Sequence, residues 1–538
     1  MDISKVDISK LLGELNAIGI ALSAEKDHDR LMEMILVRAK EITNADGGTL
    51  YTRTEEGSLR FEIMRTDSLG IIKGGKSGEP IELPPIRLYN DDGEANVHNV
   101  AACAAISGKT FNIVDAYSDQ NFDFSGTRKF DEKTGYRSTS FLTVPMADHE
   151  NTIIGVLQLI NAIDEKTGEV KAFTELDQQL VESLASQAAV AISNKNLIEA
   201  QRQLFDALIK LIANAIDEKS PYTAGHCRRV PVLTNMLADA ASNIKTGPLK
   251  DFSMTEEEKY ELEVAAWLHD CGKITTPEYV VDKSTKLETI FDRIELVKLR
   301  YEVLMRDAGI EALKRQLKQN DVNLEDDDEY VQTMQQLRDD LAFIDKCNIG
   351  GEFLSDEDQK RIDEIGNTIV KYYIEGEKPL LSDEEIQNLQ ISRGTLSIRE
   401  REIINNHVTV TIKMLESLPY PKHLRRVPEY AGGHHEKLDG TGYPNKLTAE
   451  QMSIPARMVA IADIFEALTA ADRPYKKAMP LSLALTILGR MKEDNHIDPD
   501  LFDVFIHDKL YLKYADGYLA KEQIDEVDIS SIPGYNPL

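Results

Sequence analysis

The chain has 538 residues, 42% of them hydrophobic, and a formal net charge of −30, so it is long enough for several domains with buried cores. The strong negative charge argues against nucleic-acid polymers and anionic membranes as partners. No stretch approaches the roughly 18 apolar residues of a transmembrane helix, and the N-terminus does not resemble a signal peptide. We therefore expect a cytoplasmic protein that does not bind a membrane.

The N-terminal part of the chain predicts an α+β module. Apolar residues recur at helical spacing between about 8 and 45, which predicts two helices. Strand-like segments with an antiparallel arrangement follow the glycine pair at 47 and 48. Helices should therefore flank an antiparallel sheet built from residues 49–54, 59–64, 110–114, 138–145 and 153–161.

A long segment from 173 to 217 is almost free of helix breakers and predicts one helix that links two domains. Its apolar positions leave two arrangements open. The helix can pair with its counterpart in a parallel homodimer, or it can pack as an amphipathic helix within one subunit.

The segment from about 300 to 393 is strongly acidic, with runs such as 325–329 and 382–385. Unstructured loops of this length are uncommon inside a domain, so we predict a helical insertion. Its charge runs are interpreted as solvated helix faces rather than as metal ligands.

Histidine and aspartate recur in an ordered series that indicates a metal site. His269 and Asp270 end an apolar helix at 262–268, so both side chains should emerge together from a buried element. A carboxylate can bridge two cations while an adjacent imidazole binds one of them, and Lys273 adds a positive charge nearby. Imidazole and carboxylate ligands without a thiolate motif favour iron or manganese over structural zinc. The candidate residues are His226, His269, Asp270, His407, His434, His435 and Asp463.

Residues from about 10 to 195 resemble a GAF domain, and we assign 1–195 to such a sensory domain. The resemblance lies in the helix-first order, the strands at 140–146 and 155–161, and the closing helix. Asn161, Phe173 and Asp177 partly match the signature of cyclic-nucleotide-binding members, whereas Ala162 and Gln178 replace the expected Lys and Glu. The resemblance leaves open a cyclic nucleotide, another small molecule, or a role in dimerisation alone.

Residues from about 200 to 515 resemble an HD-GYP domain, followed by a C-terminal tail at 516–538. Five motifs carry the resemblance in order: 217–230, 269–273, His407, the His-His-Glu to Gly-Tyr-Pro run at 434–444, and 463–476. The resemblance implies an all-α catalytic domain whose metal ligands are the seven residues named above. Some members have Glu where this chain has Tyr222, so we expect two divalent metal ions rather than three.

The same resemblance implies a phosphodiesterase that opens cyclic di-GMP to pGpG under control of the GAF domain, and it leaves open whether pGpG is hydrolysed further to GMP. Two metals would activate a water and offset charge on the phosphate. Asp270 would bridge them and Lys273 would face the scissile phosphate. The remaining substrate contacts would come from Gly442, Tyr443, Pro444, Arg473 and Lys476. Two alternatives stay open: hydrolysis of another cyclic dinucleotide such as cyclic GMP-AMP, and a catalytically silent receptor or scaffold.

Overall fold

A computed structural model of the chain describes residues 8–537 apart from 26, 78, 220–224, 319–322, 352, 373, 375 and 472–477. The chain divides into two units, Met1–Phe205 and Asp206–Leu538. Among the helices in the described ranges, none combines the length and apolar character needed to cross a bilayer.

The first unit is built around an antiparallel sheet in the order β3-β2-β1-β7-β6-β5, with β4 paired to β2 and β8 paired to β7. The predicted α+β fold is therefore confirmed, although the short strands β3, β4 and β8 were not predicted. The elements are α1 Ile8–Ala24, α2 His28–Thr43, β1 Ala45–Arg53, β2 Ser58–Thr66, β3 Ile71–Gly74, β4 Ile86–Arg87, α3 Val100–Ser107, β5 Phe111–Ile113, α4 Ser125–Thr134, β6 Phe141–Ala147, β7 Ile153–Ile163, β8 Val170–Lys171 and α5 Glu175–Asp217.

The main core of this unit lies between the sheet and the helices on one of its faces. Side chains of α2 and the first turns of α5 pack on the apolar side of β1, β6 and β7. Sheet residues in this core alternate with residues that face the other side, as the two-residue period of a strand requires. Representative members are Leu31, Ile35, Leu50, Leu142, Leu157, Val181, Leu184 and Ala188.

The second unit is mainly helical. Its elements are α6 His226–Asn243, α7 Glu256–Leu268, α8 Glu278–Val281, α9 Ile294–Leu317, α10 Asp328–Asn348, α11 Asp356–Gly366, β9 Ile369–Tyr372, β10 Gly376–Pro379, α12 Asp383–Leu389, α13 Ile398–Glu416, α14 Val427–Gly432, α15 Ile454–Thr469, α16 Leu481–Glu493, α17 Pro499–His507 and α18 Leu510–Tyr518. A 3₁₀ turn at Cys271–Thr275 follows α7. Helices α6, α7, α13, α14 and α15 pack together and carry the histidine series.

The acidic segment contains α9 to α12 and also a two-stranded antiparallel sheet of β9 and β10, which was not predicted. It has its own hydrophobic core, which begins at Leu287 and ends at Leu389. The charge runs dominate the sequence pattern and hide the short apolar stretches that form this core. We call residues 287–389 the insertion.

The last residues of the chain pack on the helical unit. Ile532 is buried, and the backbone N–H of Asn536 donates to Asp503 at 3.1 Å. Gln523 donates from its amide to the carbonyl oxygen of Thr469, at the end of α15. The segment predicted as a tail thus contacts the helix that carries Asp463.

Candidate metal centre

Five elements of the second unit bring all seven candidate ligands to one place. The first residue of α6 is His226, while His269 and Asp270 directly follow α7. His407 lies in α13, Asp463 lies in α15, and the two adjacent histidines follow α14. Six of the seven residues are buried, and His435 is half-buried.

The carboxylate of Asp270 lies between two sets of imidazoles. Its Oδ2 atom is 3.3 Å from Nε2 of His226 and 3.4 Å from Nε2 of His269. Its Oδ1 atom is 3.2 Å from Nε2 of His407 and 3.8 Å from Nε2 of His434. One carboxylate can therefore serve two cations, one through each oxygen atom.

A further residue completes each set. Oδ1 of Asp463 lies 3.2 Å from Nε2 of His226 and 3.7 Å from Nε2 of His269. On the other side, His407, His434 and His435 each offer a ring nitrogen, and these atoms lie within 4.8 Å of one another. The residues thus form two neighbouring groups that share Asp270.

Backbone carbonyls fix the orientation of three of these imidazoles. In each case Nδ1 lies at hydrogen-bond distance from the carbonyl oxygen three residues earlier, which assigns the proton to Nδ1 and leaves the Nε2 lone pair directed at the centre. The pairs are His269 with Ala266 at 2.7 Å, His407 with Ile404 at 2.5 Å, and His434 with Ala431 at 2.6 Å.

Several of the candidate ligand atoms are buried acceptors that a bound cation would satisfy. Oδ1 of Asp270 and Nε2 of His407 and His434 are buried without a hydrogen-bond partner among the described residues. Native structures rarely leave buried acceptors in this state. Burial lowers the pKa of His434 well below its ordinary value and that of His435 to about 4. Both imidazoles are thus neutral, which is the state that binds metal.

Lys273 contributes a positive charge at the centre. Its ammonium lies 2.5 Å from Oδ2 of Asp270. Burial acts to lower the pKa of Lys273, but the Asp270 and Asp463 carboxylates raise it above its ordinary value. Burial acts to raise the pKa of Asp270, but Lys273 and the neighbouring imidazoles hold it well below its ordinary value. The lysine is therefore cationic and the aspartate is ionised.

Sequence reasoning missed Glu466, which orients His226 from behind. Glu466 is buried, and its two oxygen atoms contact Nδ1 of His226 and accept a 2.6 Å hydrogen bond from Nε of Arg229. Burial acts to raise its pKa, but these two partners hold the pKa of Glu466 below the ordinary value. The sequence feature that could have identified Glu466 is its position three residues after Asp463, because this spacing places both carboxylates on one face of α15.

Residues at and just after the end of α5 form hydrogen bonds with two segments that carry ligands, the start of α6 and the turn after Asp270. Asp217 accepts hydrogen bonds from the backbone N–H of Gly225 at 3.0 Å and of Cys227 at 3.3 Å, on either side of His226. The Lys219 ammonium donates to three carbonyl oxygens of the turn after Asp270. These belong to Lys273 at 3.1 Å, Ile274 at 2.6 Å and Thr276 at 2.6 Å.

Gly272 allows the turn after Asp270 to approach α13. Its N–H donates to Oγ1 of Thr411 at 2.9 Å. A Cβ atom at this position would collide with the carbonyl oxygen of His407 and would lie 2.7 Å from the Thr411 nitrogen. Because only glycine fits between these backbones, the residue sets the separation between Asp270 and His407.

The Gly-Tyr-Pro loop covers the half-buried end of the centre. The Tyr443 ring stacks on His435 with 4.8 Å between ring centroids, and the peptide bond to Pro444 is cis. Buried Glu436 accepts from the N–H groups of Asn445 at 2.7 Å and Leu447 at 2.9 Å. Gly442 packs against the backbone of 436 and 437, where a side chain would collide. The loop is therefore fixed beside the ligand that it follows in sequence.

Three residues considered in the sequence lie outside the described residues. Tyr222 belongs to 220–224, and Arg473 and Lys476 belong to 472–477. The suggested roles of Arg473 and Lys476 in substrate binding, and the inference drawn from Tyr222, stay predictions.

The three candidate GAF ligand residues have structural contacts in the first unit. The Asn161 side chain accepts from the N–H of Thr139 at 2.7 Å and donates to the carbonyl oxygen of Arg137 at 2.8 Å. Phe173 belongs to the hydrophobic core, and Asp177 accepts from the N–H of Thr174 at 2.8 Å at the start of α5. Their role in ligand binding stays a prediction.

Two domain families match the chain. The GAF domain family matches residues 27–192, and the HD domain family matches residues 383–501. The second match includes His407, His434, His435 and Asp463, whereas the first three ligands of the series precede it.

The relatives include enzymes of cyclic-dinucleotide signalling. The 3′3′-cGAMP-specific phosphodiesterase 3 of Vibrio cholerae is 26% identical over 65% of this chain and 53% of its own length. The 3′3′-cGAMP-specific phosphodiesterase 1 of the same organism is 44% identical over 15% of this chain and 18% of its own length. A cyclic di-GMP phosphodiesterase of Pseudomonas aeruginosa is 49% identical over 14% of this chain and 17% of its own length. The matches thus span about half of the first relative and less than a fifth of the other two. The chain is a GAF- and HD-domain protein related to cyclic-dinucleotide phosphodiesterases.

Proposed function

We propose that this protein is a metal-dependent phosphodiesterase of the HD-GYP type that hydrolyses cyclic di-GMP to pGpG and onward to GMP. One observation carries the proposal: the Asp270 carboxylate lies between two imidazole groups, with each oxygen atom directed at a different group. This arrangement suits two divalent ions, for which iron or manganese is our choice because the ligands combine imidazoles and carboxylates. The names of the related proteins support the substrate class.

Different residues would bind the metal ions, bind the phosphate and line the pocket. His226, His269 and Asp463 would hold one ion, and the three other histidines would hold the second, with Asp270 shared. When bound, the ions supply an activated water and positive charge against the phosphate oxygens. Lys273 binds and orients the scissile phosphate through its ammonium, which already lies beside Asp270. Tyr443, stacked on His435, forms the wall that excludes water from one side of the pocket.

A second substrate is favoured by a specific observation. The relative that matches the largest part of this chain among those named above is specific for 3′3′-cGAMP according to its name. The seven candidate ligands would hold metal ions and not a base of the substrate, so they do not distinguish the two cyclic dinucleotides. A silent receptor is the third candidate, and the completeness of the ligand set counts against it.

The test is hydrolysis by the full chain after anaerobic loading with iron or manganese. Wild-type protein should linearise cyclic di-GMP, and Asp270→Ala should have no activity above background. The matched control is Asp251→Ala, which changes an exposed aspartate in the same unit and should retain wild-type turnover. Parallel assays with cyclic GMP-AMP separate the two substrates. Tight binding of either dinucleotide without turnover, by fully metal-loaded protein, would contradict the enzyme and support the receptor.

We further propose that the protein is a cytoplasmic homodimer in which the GAF domain regulates turnover through α5. Leu197, Leu204 and Leu211 recur every seven residues on this helix and are 56–63% exposed. Such a repeat is typical of a parallel helix pair. Leu204→Cys should therefore give covalent dimers under mild oxidation in a Cys103→Ser background, whereas Glu199→Cys, which lies off this repeat, should not. Leu204→Glu should change turnover, and Glu199→Gln should leave it unchanged. Failure of Leu204→Cys to cross-link would contradict this arrangement.

A further inference from the structure

The outer face of α9, in the insertion, is an uncovered apolar stripe. Its positions are spaced alternately three and four residues apart along the helix. One position in the middle of this series is occupied by Arg306, and the others are apolar. The apolar members are 36–66% exposed. They are Leu296, Leu299, Val303, Ile310, Leu313 and Leu317.

The stripe is additional to the face that already packs. Ile294, Val297 and Tyr301 of the same helix are buried in the core of the insertion. A surface helix normally has one apolar face and one polar face. The neighbouring α10 follows that rule, since among its described residues Val331 alone is a large exposed hydrophobic residue. Helix α9 is therefore apolar on two sides, and its second side is exposed and can contact a partner.

The spacing identifies the kind of partner. Steps of three and four place side chains at the a and d positions of a heptad, which pack against the same positions of another helix. With Leu296 at a, the stripe runs through three heptads and Arg306 occupies a d position. The stripe thus has the pattern of a helix that pairs with a helix.

We propose that α9 pairs with α9 of a second copy of this chain in an antiparallel arrangement. A parallel pair in register would place Arg306 against Arg306 of the partner subunit, two like charges in the seam. An antiparallel pair instead places each Arg306 opposite Val303 of the partner subunit. Glu302 of the partner subunit, which directly precedes that valine, then lies beside Arg306. Within the described part of the chain, neither Arg306 nor Glu302 takes part in an ion pair, and both are exposed. The twofold symmetry creates this charge pair twice.

The same register pairs the rest of the stripe without gaps. Leu296 lies opposite Leu313 of the partner subunit, and Leu299 lies opposite Ile310 of the partner subunit. Each pair occurs twice, because a twofold contact uses the same surface on both subunits. The paired segment, 296–313, is about 26 Å long. This contact involves the insertion and neither requires nor excludes pairing of α5.

Disulfide trapping distinguishes the two orientations. In the antiparallel register, Leu299→Cys combined with Ile310→Cys should give covalent dimers under mild oxidation, in a Cys103→Ser background. The two positions are about 16 Å apart along one helix, so they cannot bridge within a chain. Either cysteine alone should cross-link at least tenfold less, because each lies about 16 Å from its counterpart. The remaining native cysteines are buried.

The controls decide between the outcomes. Leu299→Cys with Glu311→Cys, which is one residue off the stripe, should cross-link as poorly as the single variants. Efficient cross-linking by a single variant would overturn the antiparallel orientation, and the absence of covalent dimers in every variant would overturn the contact itself. Adding Arg306→Glu to the Leu299→Cys, Ile310→Cys protein should lower the yield about fivefold, since it opposes two acidic residues. Adding Glu302→Arg as well should restore it.

Discussion

Replacing Lys219 by methionine should loosen the turn that carries Asp270 and Lys273. The Lys219 ammonium is the common donor to three carbonyl oxygens of that turn. Methionine keeps most of the aliphatic stem and removes the charge and the donors. The substitution therefore tests whether the end of α5 positions the metal centre.

The size of the effect follows from these contacts. A hydrogen bond to a charged group contributes about 1.5–3 kcal/mol. The three bonds share one charge, and Lys219 is half-buried, so water replaces part of the loss. We expect a loss of about 2 kcal/mol in the stability of the unit. Displacement of Asp270 should lower metal affinity or activity by about 10–100-fold, which is the usual effect of substituting a residue that orients a metal ligand.

The assay compares metal content, thermal unfolding and dinucleotide hydrolysis for the full-length variant. Lys219→Arg keeps the cation and should recover most of the metal affinity. Lys245→Met changes an exposed lysine after α6 and should match wild type in all three measurements. Wild-type metal affinity and turnover in Lys219→Met would refute the positioning role, even if its unfolding temperature fell.

Three further substitutions test the site and the helical unit that carries it. Glu466→Gln should weaken metal binding about tenfold, measured by competition with a chelator, because the amide cannot accept from both partners on α6. Gly272→Ala should destabilise the unit by about 3 kcal/mol or more in chemical unfolding, whereas Gly351→Ala, which has open space, should not. Burial acts to raise the pKa of Glu400, but bonds from Lys283 and Ser397 hold it below its ordinary value of 4.5. Its stabilising contribution is therefore present above pH 4.5 and lost as the pH falls through the lower, folded-state pKa, so Glu400→Gln should flatten the acid side of the stability profile. An unchanged acid profile would contradict this assignment.

The sequence predicted the elements that depend on local pattern. Periodicity predicted the antiparallel sheet and the helix now seen at Glu175–Asp217, and the spacing of His269 and Asp270 after an apolar helix predicted that both side chains emerge together. Long-range contacts were beyond such patterns. Lys219 and Lys273 are 54 positions apart in the chain, and nothing local marks the lysine as a donor to the turn.

The same limit applies to the insertion and to Glu466. The acidic runs suggested solvated helices, whereas the core of the insertion depends on short apolar segments that meet only in three dimensions. Glu466 is 240 positions from His226, and its role becomes apparent only when α15 packs against α6. Chemical type could be read from the sequence, but the partner that orients each ligand could not.

The shared carboxylate of Asp270 is the central claim, and metal stoichiometry tests it most directly. Full-length wild-type protein and Asp270→Asn should be loaded anaerobically with manganese, and bound metal should be counted per chain after removal of free ions. We predict two ions per wild-type chain and a loss of both, with parallel loss of hydrolysis, in the folded variant. Retention of two ions by Asp270→Asn, or a single ion in active wild-type protein, would contradict the account.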